Sequence, residues 1–169
     1  ILNVVPEEKD PDVLSQKSKG TFFVGRSQIL PPAVEAVKNI LEKCEIEIKG
    51  KNAAIFGYGL LVGEPVAHWL ATQGATVSII NEFTKNPAEI SRQADIIISG
   101  VGKANLITAD MIKEGSIVID FGYSKIGGKI TGDVDFEGVK EKASFITPPT
   151  GGTGPIVVAA VLKNFVELI

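Results

Sequence analysis

The run Asn52–Gly63, NAAIFGYGLLVG, constrains this chain more than any other stretch. A short apolar segment stops on Gly57, continues through Gly59 and Gly63, and restarts as the helix-like VAHWLATQG. A strand that ends on glycine and resumes as a helix turns a row of backbone N–H groups toward one point. A Rossmann unit receives a pyrophosphate in this way. Gly57 permits the tight turn, Gly59 lets the backbone approach phosphate, and Gly63 lets the helix pack closely on the strand. The spacing is G-x-G-x-x-x-G rather than the commoner G-x-G-x-x-G, so context has to carry part of the weight. That context is ATVSII, a second apolar strand at Ala75–Ile80, ending at Asn81-Glu82. Glu82 lies 25 positions after Gly57, near where a carboxylate grips a ribose 2′-OH. The rival reading of these residues is a βαβ unit with a glycine turn and no ligand.

The same alternation continues downstream. Asn86–Gln93 reads as a short capped helix, and IIIS ending at Gly100-Val101-Gly102 as a buried strand. Thr108–Lys113 reads as another short helix, Ser116–Asp120 as the next strand, and Ile126–Asp133 as a hairpin turning at Gly127-Gly128. Asp135–Lys142 follows as a helix and Ala143–Thr147 as a last strand. Continuously apolar strands separated by helices predict an α/β fold: a Rossmann-like, doubly wound parallel sheet covered on both faces. Ligands of such sheets sit beyond the carboxyl ends of the strands. Gly57–Leu61, Asn81–Thr84, Gly100–Lys103 and Phe121–Ser124 should therefore surround one crevice. The cofactor-contacting set is expected to be Gly57, Tyr58, Gly59, Leu61, Val62, Gly63, Asn81, Glu82, Gly100, Val101, Gly102 and Gly122.

Flanking segments have a different character. ILNVV reads as a strand, and PEEKDPDVLSQKSKG as a charged, proline-broken loop before TFFVG. Pro31–Lys43 is helical by period, with Val34, Val37, Ile40 and Leu41 on one face and Glu35, Lys38, Asn39 and Glu42 opposite. PPTGGTGP is a rigid glycine-rich loop leading into a helix at Ile156–Ile169, whose apolar stripe is Val157, Val161, Leu162 and Phe165.

Composition removes several functional classes. A formal net charge of −3 and a pI near 5.3 offer no basic surface for nucleic acid. No apolar run approaches the ~20 residues of a membrane span, and no signal peptide is visible. One cysteine, Cys44, excludes an internal disulfide and fits a reducing, cytoplasmic setting. No Cys/His/carboxylate set has metal-ligand spacing.

GKNAAIFGYGLLVGEP, TKNPAEISRQADIIISGVGK and ITADMIKEGSIVIDFGYSKIGGKITGDVDFEGVKEKASFITPPTGGTGP together resemble the bifunctional methylenetetrahydrofolate dehydrogenase/methenyltetrahydrofolate cyclohydrolase (FolD) family. So does the opening, where ILNVVPEEKDPDV is similar to the segment around a K-D-V-D-G motif. The resemblance covers essentially the whole chain. It implies residues 1–28 as the tail end of an N-terminal folate-binding catalytic domain. Residues 29–147 would be the NAD(P)-binding domain with a leading connector helix, and 148–169 a glycine-rich loop and second connector. It implies oxidation of 5,10-methylenetetrahydrofolate with NAD or NADP, then hydrolysis of the methenyl product to 10-formyltetrahydrofolate. It also implies a homodimer, and folate contacts at Asp12, Gly151, Gly152 and Pro155. The family's catalytic lysine, in a Y-x-x-x-K segment, and its Q-L-P-L-P segment have no counterpart in these residues. No catalytic residue is therefore assigned, and these 169 residues alone are expected to bind cofactor without turnover.

Departures from the family pattern are informative. Its G-R-S-x-x-V-G loop, with arginine serving an NADP 2′-phosphate, has Tyr58 and Gly59 in place of Arg and Ser. Its H-S or H-R pair is Asn81-Glu82. A carboxylate near a dianionic phosphate is repulsive by about a kcal/mol or more, and a lost arginine removes a charge-assisted contact. Both changes favour NAD. P-C-T-P, P-G-G-V-G-P and G-I-N are replaced by Pro31-Pro32-Ala33-Val34, Thr150–Pro155 and Gly122-Tyr123-Ser124, and the glycine after Asp12 is gone. His68, Cys44 and Asp120 read as packing or structural residues. Lys103 reads equally as a crevice residue or a solvated side chain, and Tyr58 either stacks on the nucleotide or shields the crevice. Rival functions are a non-catalytic Rossmann module for dimerisation or binding, and another NAD-dependent dehydrogenase. The GGTGP loop and terminal helix argue against the latter.

Overall fold

The computed structural model describes residues 4–169. Five parallel strands form one sheet in the order β2-β1-β3-β4-β7: β1 is Asn52–Phe56, β2 Thr76–Ile80, β3 Ile96–Ser99, β4 Ile117–Asp120 and β7 Phe145–Ile146. β5 (Ser124–Ile126) and β6 (Lys129–Thr131) make the separate hairpin, with Gly127 and Gly128 both at positive φ, as a two-residue primed turn requires. The helices are α1 (Gln16–Phe23), α2 (Pro32–Lys43), α3 (Gly63–Thr72), α4 (Pro87–Ser91), α5 (Phe136–Val139) and α6 (Thr153–Glu167). Ile96, Ile97, Ile98, Val118 and Ile119 are fully buried, because helices cover both faces of the central strands. Val34, Val37, Leu41, Val66 and Leu70 pack on one face, and Ile107, Ile112 and Val139 on the other.

The flanks differ from expectation in several places. Ile1–Asn3 lie outside the described residues, and Val4 and Val5 form no strand. The charged stretch is not all loop, since Gln16–Phe23 is helical. Ser15 caps it by accepting from the Ser18 N–H, and the Asp10 carboxylate accepts from the N–H groups of Leu14 and Ser15. This polar helix is held by its cap and by Phe22, which is buried in the same core as Val13, Ile29 and α3.

Glu35, expected on the solvent face of α2, is buried because α6 lies across that face. α6 itself starts three residues earlier than expected, with Gly152 as its N-cap. Its stripe also differs: Ala160 and Asn164 face inward, while Leu162 and Phe165 are exposed. Asn164 is stabilised there by donating its amide to the Pro11 and Leu30 carbonyls, at 2.8 Å each. The short connections shrink too. Thr108–Lys113 holds only a 3-10 turn at Ala109–Met111, and α4, α5 and β7 fall inside wider predicted ranges. Asn86 precedes α4 in the left-handed region, and its side chain makes no capping hydrogen bond.

Candidate functional site

Strand register puts the site together. Phe56 of β1 is level with Ile80 of β2 and Ser99 of β3, and Ser99 with Asp120 of β4. Four strands therefore end in one row, and their following loops share one edge. The chain leaves β1 toward β2 on one side and returns to β3 on the other. The crevice lies at that switch point, between the loops after β1 and β3.

Gly57 sits there at φ +83, and a Cβ on it would come within 3.2 Å of Val101 Cγ2 and 3.4 Å of the Gly100 carbonyl oxygen. Gly63 opens α3 so close to β1 that a Cβ would run into the Gly57 carbonyl oxygen. Both glycines are thus required by the corner's own packing. Gly59 is not: its φ is ordinary and no atom lies within 4 Å of its Cβ position, so the space above it is open. The Gly57 N–H is used by the Ile80 carbonyl at 2.8 Å, and the Glu64 N–H by the Gly59 carbonyl at 3.0 Å. Between them the N–H groups of Tyr58 to Gly63, including Leu61 and Val62, find no acceptor among the described residues. Unpaired amides at the start of a ten-residue helix carry partial positive charge and fit an anion. Tyr58, Leu60 and Leu61 are exposed around this corner and give it an apolar rim.

The loop after β2 is a tight turn. Asn81 donates its N–H to Thr84 Oγ1 at 2.9 Å, and its side-chain oxygen accepts from the Phe83 N–H at 2.9 Å. Asn81, expected among the cofactor contacts, thus uses its side-chain oxygen within the turn. Glu82 and Phe83 are left at its exposed tip.

Beyond β3 and β4, two aspartates organise the edge. The fully buried Asp133 accepts from Ser99 Oγ, the Val101 N–H and the Lys103 N–H, each at 2.7 Å. Asp120 accepts from the N–H groups of Gly122 at 2.7 Å and Val134 at 3.0 Å. Burial pushes the Asp120 carboxyl up to about 6, its backbone hydrogen bonds oppose that, and the charge of Asp133 adds to the rise. Gly122 lies so tightly on Asp133 that a Cβ would strike its carboxylate. Sequence reasoning missed Asp133. It stands in GDVD, next to a hairpin glycine, where an aspartate usually signals a solvated turn. Nothing in one sequence says that the chain leaving the hairpin returns to the loop after β3.

The residues assigned to folate separate. Asp12 is exposed on the rim of a cavity of about 320 Å³, whose wall includes Lys19, Leu60, Val62, Phe121 and Thr153. Lys19 is paired with Glu64 at 2.5 Å. Gly151 is an exposed residue at φ +76, and Gly152 is packed on the Pro148 carbonyl. Pro155 lines a different groove, between α2 and α6. The cavity instead receives Thr153 and Gly154 from that segment. His68 packs edge-to-face with Phe22 and at a tilt to Phe23, with ring centroids at 5.4 and 4.4 Å. Cys44 is half-buried, and burial pushes its thiol up, so it is a poor nucleophile. Among the described residues no cluster of three or more His, Cys, Asp or Glu could hold a metal, and no helix is long and apolar enough to cross a membrane.

Comparison with known proteins agrees with this geometry. Residues 31–169 match the profile of the tetrahydrofolate dehydrogenase/cyclohydrolase family, NAD(P)-binding domain. The bifunctional protein FolD 2 of Lactobacillus johnsonii is 43% identical over 168 residues, covering 99% of this chain and 60% of its own length. The chain thus spans about 60% of the length of the curated relatives it matches. The bifunctional FolD of Campylobacter jejuni superposes with a TM-score of 0.96 at 42% identity, over 99% of this chain and 60% of that one. Trypanosoma brucei FolD, solved with NADP cofactor and inhibitor, gives 0.91 at 35% identity (99% and 60%). The NAD-dependent 5,10-methylenetetrahydrofolate dehydrogenase of Saccharomyces cerevisiae gives 0.84 at 25% identity (99% and 63%).

Proposed function

The chain belongs to the tetrahydrofolate dehydrogenase/cyclohydrolase family, and we propose that within it these residues form the nucleotide-binding half of an NAD-preferring enzyme. The supporting observation is the row of unpaired N–H groups from Tyr58 to Gly63 at the level ends of β1 and β3. An adenine dinucleotide fits that cradle: its diphosphate takes the amides, and open space above Gly59 admits the close approach. Tyr58 offers a ring for stacking rather than a cation for a 2′-phosphate. Glu82, exposed at the end of β2, suits two ribose hydroxyls and repels an extra phosphate.

The nicotinamide, when bound, supplies the hydride acceptor. This chain's residues bind and orient it, with Val101, Gly102 and Gly122 on the opposite wall of the crevice. The substrate we assign is 5,10-methylenetetrahydrofolate, followed by hydrolysis of its methenyl product, as the names of the relatives suggest. Asp12, on the rim of the adjoining cavity, supports an approach of that substrate from this side. Gly151, Gly152 and Pro155, given to folate on resemblance, belong to the segment whose Thr153 and Gly154 line the same cavity. Turnover needs groups from the part of the relatives that this chain does not span.

A cytoplasmic homodimer goes with this reading. β2 leaves one sheet edge open, with Thr76 and Ile79 exposed on it. Fluorescence titration tests the cofactor assignment: NADH should bind the more tightly, and a tighter curve for NADPH overturns the preference. A non-catalytic module is the reading left if neither nucleotide binds.

A further inference from the structure

We propose that Asp133 is a positioning residue of the nucleotide site, a buried anion that turns the loop after β3 so that one wall of the crevice refuses phosphate. The proposal rests on the nucleotide reading above. It concerns a residue that makes no contact with the crevice itself.

Asp133 arrives from 30 to 34 positions downstream, after the β5–β6 hairpin, and is completely buried. A buried carboxylate is tolerated only when its oxygens are satisfied, and here one accepts from Ser99 Oγ and the Val101 N–H, the other from the Lys103 N–H. Those two amides belong to the loop facing the glycine corner. Taken inward by Asp133, they are not available to a ligand. Gly102, at φ +78, makes the reversal that brings both amides to one carboxylate, and its carbonyl accepts from Ser124 Oγ at 3.2 Å.

The two sides of the switch point are therefore opposite in character. The loop after β1 presents a run of free N–H groups at a helix start, while the loop after β3 has its Val101 and Lys103 amides turned inward, a negative charge beneath it and Val101 exposed. A diphosphate is drawn to the first and repelled from the second. An uncharged ribose or carboxamide suits the second. Asp133 thereby fixes which way round a dinucleotide lies. The β4 loop is registered on the same group, because Gly122 packs on the Asp133 carboxylate while Asp120 holds the Gly122 N–H.

The test uses the protein expressed from its full reading frame. Without nucleotide, the amides of Val101 and Lys103, though on exposed residues, should exchange with solvent at least about tenfold more slowly than those of the open loop residues Lys85 and Glu114. Exchange of both amides at open-loop rates in the unmodified protein overturns the proposal, whatever any variant does. Asp133→Asn then replaces one acceptor oxygen by a donor facing a donor. It should release the two amides and weaken NADH binding about tenfold or more. Ile112→Ala, a buried change in the core that also holds Val134 but outside the hydrogen bonds of the Asp133 carboxylate, serves as a control for lost stability and should leave NADH affinity within about twofold. Asp133→Asn that keeps wild-type affinity overturns the inference while leaving the nucleotide reading standing. Equal weakening in Ile112→Ala at matched Tm overturns it too. Failure of the unmodified protein to bind either nucleotide overturns both.

Discussion

Lys163 Nζ lies 2.6 Å from Glu35 Oε1, joining α6 to α2 across 128 positions of sequence. Burial alone would raise the Glu35 carboxyl, but the Lys163 hydrogen bond and charge more than offset this and hold it below its usual value. The pair clamps the two helices that flank the nucleotide domain.

Replacing Lys163 with Met leaves Glu35 buried without its cation, and should cost about 1–3 kcal/mol at pH 7. The depressed carboxyl contributes stability above its unfolded value of 4.5, and that contribution disappears as pH falls through the folded value. The gap between Lys163→Met and the unmodified protein should accordingly narrow in urea titrations as the pH is taken progressively below 4.5.

Asp120 should act with the opposite sign. Its folded value of about 6 lies above 3.8, so the folded state holds the proton more tightly in that window. Its contribution is complete below the lower value and is lost as pH rises toward and past 6, by about 3 kcal/mol in all. Subtracting the stability curve of Asp120→Asn from that of the unmodified protein should give a difference that falls between these pH values and is flat above them. A flat difference throughout would mean that Asp120 is ordinarily ionised.

Two glycines of the corner should separate fold from ligand. Gly63→Ala forces a methyl group onto the Gly57 carbonyl and should destabilise by about 1–3 kcal/mol, with loss of nucleotide binding. Gly59→Ala meets no protein atom and should change stability by less than about 1 kcal/mol. It should nonetheless weaken NADH, because the methyl group enters space that the diphosphate needs. Thermal melts beside NADH titrations read both effects.

The parallel sheet was legible because buried strands write themselves as unbroken apolar runs between glycines, as in Ile96–Ser99. The glycine corner was legible because Gly63 answers a local steric demand, the carbonyl of Gly57 in the same turn, although the demand on Gly57 itself comes from the distant Gly100 and Val101. Other features depend on contacts distant in sequence. Glu35 looks solvated until Lys163 arrives, and Asp133 looks like a turn residue until the chain leaving the hairpin returns to Ser99. The α6 stripe misled because apolar period was equated with burial, whereas Asn164 is the residue that faces in, held by two carbonyls. α1 was hidden for a related reason, having a cap and one buried Phe22 in place of an amphipathic pattern.

Cofactor choice should be reversible at two exposed positions. Tyr58→Arg with Glu82→Ser supplies a cation for a 2′-phosphate and removes an anion. The double variant should tighten NADPH about tenfold while weakening NADH, with little change in Tm. Unchanged affinities for both nucleotides would show that selection lies elsewhere.

The most direct measurement is a crystal structure of the protein with NADH. The account predicts the diphosphate oxygens within hydrogen-bonding distance of the N–H groups between Tyr58 and Gly63, with the nicotinamide half against Val101. A diphosphate bound outside that corner, or the Tyr58 ring filling it with nucleotide present, would contradict it.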